Sequence, residues 1–255
     1  VRIIIGIPSL IWKLHIAVVF TITALLYYPL IYPLLSSNKG KKKAFRLFVA
    51  WSWTVRILCF YFVRRKLNNE IPEGPYIIIA NHASYLDIFL MYSIVPNEPF
   101  IFLGKSEILS YPLLKTYFKK LNIPVHRSSP IKSARALVAA AKEVKKGWSL
   151  VIFPEGGIPD DDSPKMIPFK EGAFQLAKSV KLPIVPMTFT NNYRLFSDPT
   201  NTFGPARPGV SHVYIHPSIS ADEVETMTQE QLKQYCFKII NGPLLETHPH
   251  LKEIE

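Results

Sequence analysis

Residues 14–35 form a run of 22 residues without one formally charged side chain. No other feature limits the folding of the chain as much, because an apolar run of that length can cross a bilayer core as a helix. It is a transmembrane candidate; the alternative is a helix that enters the lipid only partway. Pro29 and Pro33 near its end allow a kink. The run is longer than the apolar core of a cleaved signal peptide, and no small-x-small cleavage site follows it. Lys39-Gly40-Lys41-Lys42-Lys43 comes next, the positive cluster expected on the cytoplasmic side. A second apolar stretch, 47–63, carries Trp51, Trp53, Phe60, Tyr61 and Phe62 around Arg56. An arginine at the centre of a span costs at least about 2.5 kcal/mol, so this stretch reads as lying in the interface, with its aromatic rings among the headgroups. A buried first helix of a globular domain is the alternative.

The net charge of +11 resembles that of a nucleic-acid binder until its distribution is counted. Residues 1–66 hold eleven Lys or Arg and no Asp or Glu, which leaves 19 basic against 19 acidic residues beyond them. A basic segment that is also the most apolar part of the chain points to the anionic lipids of an inner leaflet, not to nucleic acid. Two units are therefore expected: membrane-anchoring helices over 1–66 and a neutral globular domain over 67–255. With 48% hydrophobic residues the chain is too apolar for disorder, and Cys59 and Cys236 cannot build a disulfide framework or a multi-cysteine zinc site.

Beyond residue 67 short apolar runs alternate with helical periods. Segments 76–80, 100–104, 122–126, 149–153, 183–189 and 210–216 read as strands. Ser129-Pro130 opens a helix that Gly147 ends, and Ser220 to Glu223 is a capping box. This alternation predicts an α/β fold, a mostly parallel sheet flanked by helices.

The common nucleotide, zinc-protease and lipase motifs are absent from the sequence. Asn81-His82-Ala83-Ser84-Tyr85-Leu86-Asp87 follows directly on the first of those strands. A strand-to-helix turn is where such folds place ligands. His82 can act as a base near neutral pH while Asp87 orients its ring, or His82 caps a helix and Asp87 sits on a solvated face. Glu155 enters a Gly156-Gly157 turn, where freed backbone N–H groups can face an anion and the carboxylate can hold a hydroxyl or a cation.

The Asn-His-x-x-x-x-Asp block resembles the hallmark of the glycerolipid acyltransferases, the family that includes 1-acylglycerol-3-phosphate acyltransferases. Further blocks follow in the family's order. Residues 102–107 are similar to its lysine-bearing segment (Lys105), 123–127 to the block whose arginine contacts the acceptor phosphate (Arg127), and Phe153-Pro154-Glu155-Gly156 to the third. Residues 169–174, with Lys170, and Pro183-Ile184-Val185-Pro186 match the rest. Taken singly, Lys105 and Lys170 could equally be surface charges and Arg127 an ion-pair partner. One departure stands out. The family continues Glu-Gly-Thr-Arg-Ser, whereas this chain reads Glu155-Gly156-Gly157-Ile158-Pro159 and then Asp160, Asp161 and Asp162.

The resemblance implies an acyltransferase fold and a membrane-bound O-acyltransferase facing the cytoplasm. It would move an acyl chain from acyl-carrier protein or acyl-CoA to 1-acylglycerol-3-phosphate, with no metal or other cofactor. His82 and Asp87 would be catalytic; Asn81, Lys105, Arg127, Glu155, Gly156, Gly157 and Lys170 would bind substrate. Three alternatives stand beside it: a lyso-aminolipid acceptor, prompted by the missing arginine; an acyl-enzyme on Ser84; and a catalytically silent lipid-binding scaffold.

Overall fold

The computed structural model describes residues 2–110, 112–126, 129–159 and 164–253. The chain opens with helices α1 (Arg2–Ile31) and α2 (Asn38–Leu58), followed by strands β1 (Tyr61–Asn68) and β2 (Ile77–Ala80). Next come α3 (Tyr85–Ile94), β3 (Phe100–Lys105), α4 (Pro112–Leu121), β4 (Ile123–Val125), α5 (Pro130–Val144) and β5 (Ser149–Ile152). It ends with α6 (Gly172–Val180), β6 (Ile184–Phe189), α7 (Asn192–Leu195), β7 (Gly209–Ile215), α8 (Ala221–Thr226) and α9 (Gln229–Thr247).

The strands form one sheet in the order β1-β7-β6-β2-β5-β3-β4. Neighbours from β6 to β4 are all parallel, and an antiparallel β6–β7 seam joins them to the parallel pair β7–β1. The six expected strands are present, and the mostly parallel sheet is observed. Ile77, Ile78 and Ile79 are fully buried, as a continuous apolar run requires when both faces of a strand are covered.

The winding decides which helix lies where. From β2 to β3 to β4 the chain moves one way along the sheet; from β4 to β5 to β6 it moves back. Right-handed crossovers then put α3 and α4 on one face and α5 and α6 on the other. The packing agrees: α2 contacts α3, whereas α5 contacts α6 and α6 contacts α9. Reversal of direction also opens a crevice at the carboxyl ends of β2, β5 and β6.

The amino-terminal part departs from expectation in two ways. Residues 61–68 are strand β1, paired along its length with β7, so the boundary expected at 66 falls inside a strand of the sheet. The 47–63 stretch is not one interfacial segment either. Its first part belongs to α2, whose Phe45, Phe48, Trp51 and Val55 are buried in the common core. Arg56 is buried too; it stacks over the Trp53 ring at 4.0 Å, and its Nε donates to the Tyr61 carbonyl at 3.4 Å. The buried-helix reading holds for α2.

Helix α1 is long and apolar enough to cross a membrane, yet protein covers one side of it. Phe203 lies over Gly6, where a Cβ would come within 2.8 Å of the ring. Lys13 donates to Ser197 Oγ at 2.8 Å, Trp51 Nε1 to Thr23 Oγ1 at 2.9 Å, and Tyr117 to the Ala24 carbonyl at 3.3 Å. The other side carries Ile7, Ile11, Leu14, Val18, Ile22, Leu25, Leu26 and Leu30, each 48–65% exposed.

Candidate active site

Strand β2 ends where its ladder is continued by a side chain. Asn81 Nδ2 donates to the Phe189 carbonyl at 2.9 Å, and its Oδ1 accepts the Phe189 N–H at 2.8 Å. The amide therefore pairs with β6 as a backbone unit would, and the main chain is free to turn. Asn81 is 1% exposed, so the substrate contact expected of it is replaced by a clamp on the strand end.

The next three N–H groups are all taken by buried carboxylates. His82 N donates to Glu155 Oε1 at 2.7 Å; Ala83 N and Ser84 N both donate to Asp87 Oδ2 at 2.9 Å. Ser84 is the N-cap of α3, and Asp87 completes its capping box. The same Oδ2 lies 3.1 Å from His82 Nδ1. Since a carboxylate can only accept, Nδ1 carries the proton, so that in the neutral ring Nε2 presents its lone pair. Asp87 Oδ1 accepts from Asn192 Nδ2 at 2.7 Å. The imidazole lies against the Phe153 ring, centroids 4.3 Å apart and planes 19° off parallel. Ring and carboxylate are thus fixed by helix capping, by stacking and by an asparagine 105 positions away.

Ser84 has no free hydroxyl. Its Oγ accepts from Leu86 N at 3.0 Å and donates to the Phe196 carbonyl, and the residue is fully buried. This overturns the acyl-serine alternative.

Glu155 is 2% exposed, and both its oxygens are used on backbone: Oε1 by His82 N and Oε2 by Ile167 N at 2.9 Å. Burial pushes its carboxyl up to about 7, the two N–H donors pull against this, and the neighbouring Asp87 charge adds to it. The geometry makes Glu155 a tie between the His82 turn and the 167 segment, where direct substrate contact was expected. Gly156 has φ +84°, and a Cβ there would meet Lys170 Cε and Nζ at 2.8 Å. Lys170 thus lies over the turn, its own N–H bonded to the Pro154 carbonyl at 2.8 Å. Among the described residues nothing comes within 4 Å of a would-be Cβ at Gly157. Lys105 is exposed at the carboxyl end of β3. Arg127 and Asp160 to Asp162 lie outside the described residues.

Two participants were missed in the sequence: Asn192 and Phe153. Phe153 stood in a recognised block, but its ring contact with His82 joins β5 to the β2 turn. The only signal for Asn192 was its position just after β6, at the same end of the sheet as His82.

The arrangement defines a class: an α/β domain that offers a carboxylate-oriented imidazole as a base at the carboxyl ends of parallel strands. The chain belongs to the acyltransferase family, whose model matches residues 62–190, just over half of it. Among its relatives is a 1-acyl-sn-glycerol-3-phosphate acyltransferase of Saccharomyces cerevisiae, 32% identical over 208 residues, or 77% of this chain and 65% of that one. The chloroplastic 1-acyl-sn-glycerol-3-phosphate acyltransferase BAT2 of Brassica napus is 28% identical over 193 residues, or 74% of this chain and 54% of that one. The chain spans about half the length of the plant relative. The crystal structure of the 1-acyl-sn-glycerophosphate (LPA) acyltransferase PlsC from Thermotoga maritima shares the fold. Its TM-score is 0.77 at 22% identity, over 97% of this chain and 98% of that one.

Proposed function

We propose that the protein is a membrane-bound O-acyltransferase that makes phosphatidic acid from 1-acylglycerol-3-phosphate and an acyl thioester. The observation that carries this reading is the open Nε2 of His82, held by the Asp87 bond at 3.1 Å, in a chain whose relatives bear that enzyme name. The acceptor hydroxyl oxygen attacks the thioester carbonyl carbon as His82 Nε2 takes its proton. The tetrahedral intermediate collapses, the C–S bond breaks, and the imidazolium returns the proton to the leaving thiolate. Asp87 stabilises the imidazolium between the two steps.

The acceptor phosphate is assigned to the cations at this end of the sheet, Lys170 over the Gly156 turn and Lys105 after β3, together with Arg127 from the sequence pattern. An aromatic pocket of about 90 Å³, lined by Phe20, Phe48, Trp51, Phe89, Tyr92 and Phe102 among others, lies between the amino-terminal helices and the sheet. Phe102 stacks on Phe153, which stacks on His82. This makes the pocket a route for an acyl chain. The exposed row of α1 is read as lying side-on in a bilayer surface, with the active site toward the cytoplasm. Gly157-Ile158, where the family carries an arginine, favours one second reading, a lyso-aminolipid acceptor without phosphate.

The test supplies the purified protein with labelled acyl-carrier protein or acyl-CoA and, in parallel, lysophosphatidate and lyso-aminolipids. Transfer to lysophosphatidate that vanishes in His82→Ala is the expected result. Preference for an aminolipid would replace the acceptor, and no thioester turnover at all would leave the scaffold reading.

A further inference from the structure

Helix α5 has a side that takes no part in this site. Ile131 is 68% exposed and Val138 58%, and Arg135, Lys142 and Lys145 are exposed with them. Positions 131, 135, 138, 142 and 145 step by four and three, so the five side chains line one face of the helix and its last turn. Ala136, Ala140 and Val144 on the other side are buried in the core. The one acid between 130 and 147 is Glu143, and its carboxylate pairs with Lys146 Nζ at 2.6 Å. The charge of the stripe is therefore not cancelled from within. A face built only for water gains nothing from Ile131 and Val138, whose β-branches also lower helix propensity.

The place of the stripe in the fold narrows its occupant. Helix α5 lies on the sheet face opposite α2 and α3, hence away from the apolar row of α1 that the proposed function gives to lipid. The stripe faces water. As a helix that follows a parallel strand, α5 starts at the carboxyl edge of the sheet, where His82 lies. It also packs on α6, with Leu137 3.7 Å from where a Cβ of Gly172 would stand, two residues after Lys170. A protein seated on α5 would thus sit beside the mouth of the site.

We propose that the Ile131–Arg135–Val138–Lys142–Lys145 stripe of α5 docks an acidic acyl-carrier protein, with carboxylates of the carrier on the cations and its apolar side chains on Ile131 and Val138. This rests on the acyl-transfer reading and names its donor. Charge complementarity of this kind steers encounter and fixes orientation, and it weakens with salt. Lys142 lies about 18 Å along the helix from Pro130 at 1.5 Å per residue, a breadth of contact that suits a protein surface.

The test compares palmitoyl-carrier protein with palmitoyl-CoA as donors for the full chain on lipid vesicles. The double change Arg135→Glu with Lys142→Glu should raise KM for the carrier-protein donor by about tenfold or more, with kcat nearly unchanged and both constants for palmitoyl-CoA within about twofold. Ile131→Ser with Val138→Ser, which leaves the charges, should move the same KM in the same direction. Added salt should weaken use of the carrier by the wild type more than by the charge-reversed variant. Unchanged carrier kinetics in both variants would overturn the proposal, as would equal losses with the two donors. Loss of vesicle binding in place of carrier use would assign the stripe to lipid, and a change in oligomeric mass to a second copy. A wild type active with palmitoyl-CoA alone would refute the docking and leave the acyltransferase standing; one inactive with both donors would refute the two together.

Discussion

His82 and Asp87 should respond differently to substitution because they hold different numbers of partners. The ring of His82 has one hydrogen bond and one stacking contact, so His82→Ala should lower kcat by roughly 10²- to 10⁴-fold and leave the melting temperature nearly unchanged. Asp87 takes four donors on two oxygens. Asp87→Ala strips the cap of α3 and leaves buried N–H groups unpaired, so it should lose activity and about 2–4 kcal/mol of stability. A His82→Ala variant that is folded and keeps wild-type kcat would remove the base from the mechanism. Glu155 has a pH signature. Its carboxyl is raised from 4.5 to about 7 in the folded chain, so the folded state binds more protons than the unfolded one between these values. The stabilisation it contributes is complete below about pH 4.5 and is lost as pH rises through about 7, a span on the order of 3 kcal/mol. Urea midpoints across pH 5 to 7.5 should fall with rising pH for the wild type, and that part of the slope should be missing in Glu155→Gln. At this scale the sequence showed the pairs that are close along the chain. His82 and Asp87 share one turn, whereas the bonds from Asn192 to Asp87 and from Glu155 to His82 depend on which strands become neighbours, and local spacing carries no record of that.

At the scale of elements, the Gly156-Gly157 turn separates two glycines that look alike in the sequence. Gly156→Ala puts a Cβ at φ +84° and 2.8 Å from Lys170 Nζ, so it should cost more than about 1 kcal/mol and displace the lysine assigned to the phosphate. Gly157→Ala meets nothing within 4 Å among the described residues and should change stability by less than about 0.5 kcal/mol. Melting curves of the two variants, with KM for lysophosphatidate, check both statements; equal effects would mean that the turn is not shaped by Lys170. The strands from β2 to β7 were legible because each is a short apolar run between polar or helical segments. Strand β1 was not. Helix α2 passes into it through Phe60 at φ +49°, with no glycine or proline to mark the break. Arg64, Arg65 and Lys66 then look like the end of a basic tail although they lie in a strand paired with β7. Edge position explains the composition, since β1 has a neighbour on one side only and its outer residues remain in water.

The whole molecule combines two surfaces set by one topology, an exposed apolar row on α1 that the proposed function gives to lipid and a cationic stripe on α5, with the candidate site at the strand ends. Hydropathy alone marked α1 as a span, because periodicity cannot tell an apolar face turned to lipid from one turned to protein. The contacts of Gly6, Lys13, Thr23 and Ala24 with the rest of the chain supply that distinction. Removal of residues 1–66 would take away Phe45, Phe48 and Trp51 from the core and six of the eight residues of β1, so it should give a misfolded chain in place of a soluble enzyme. The cleaner test leaves the fold alone. Ile11, Leu14 and Ile22 are 63%, 64% and 54% exposed, and replacing all three with serine should barely alter the melting temperature. Each substitution should remove about 1 kcal/mol or more of transfer into a bilayer surface, so the triple variant should partition into vesicles at least about a hundredfold more weakly. Basic Lys39, Lys43 and Arg46 are exposed on α2, which packs on α1. The residual binding should therefore require anionic lipid and disappear at high salt, where wild-type binding persists. Vesicle binding that is unaffected by the three serines would show that another surface holds the protein on the membrane and that the row of α1 is covered in some other way.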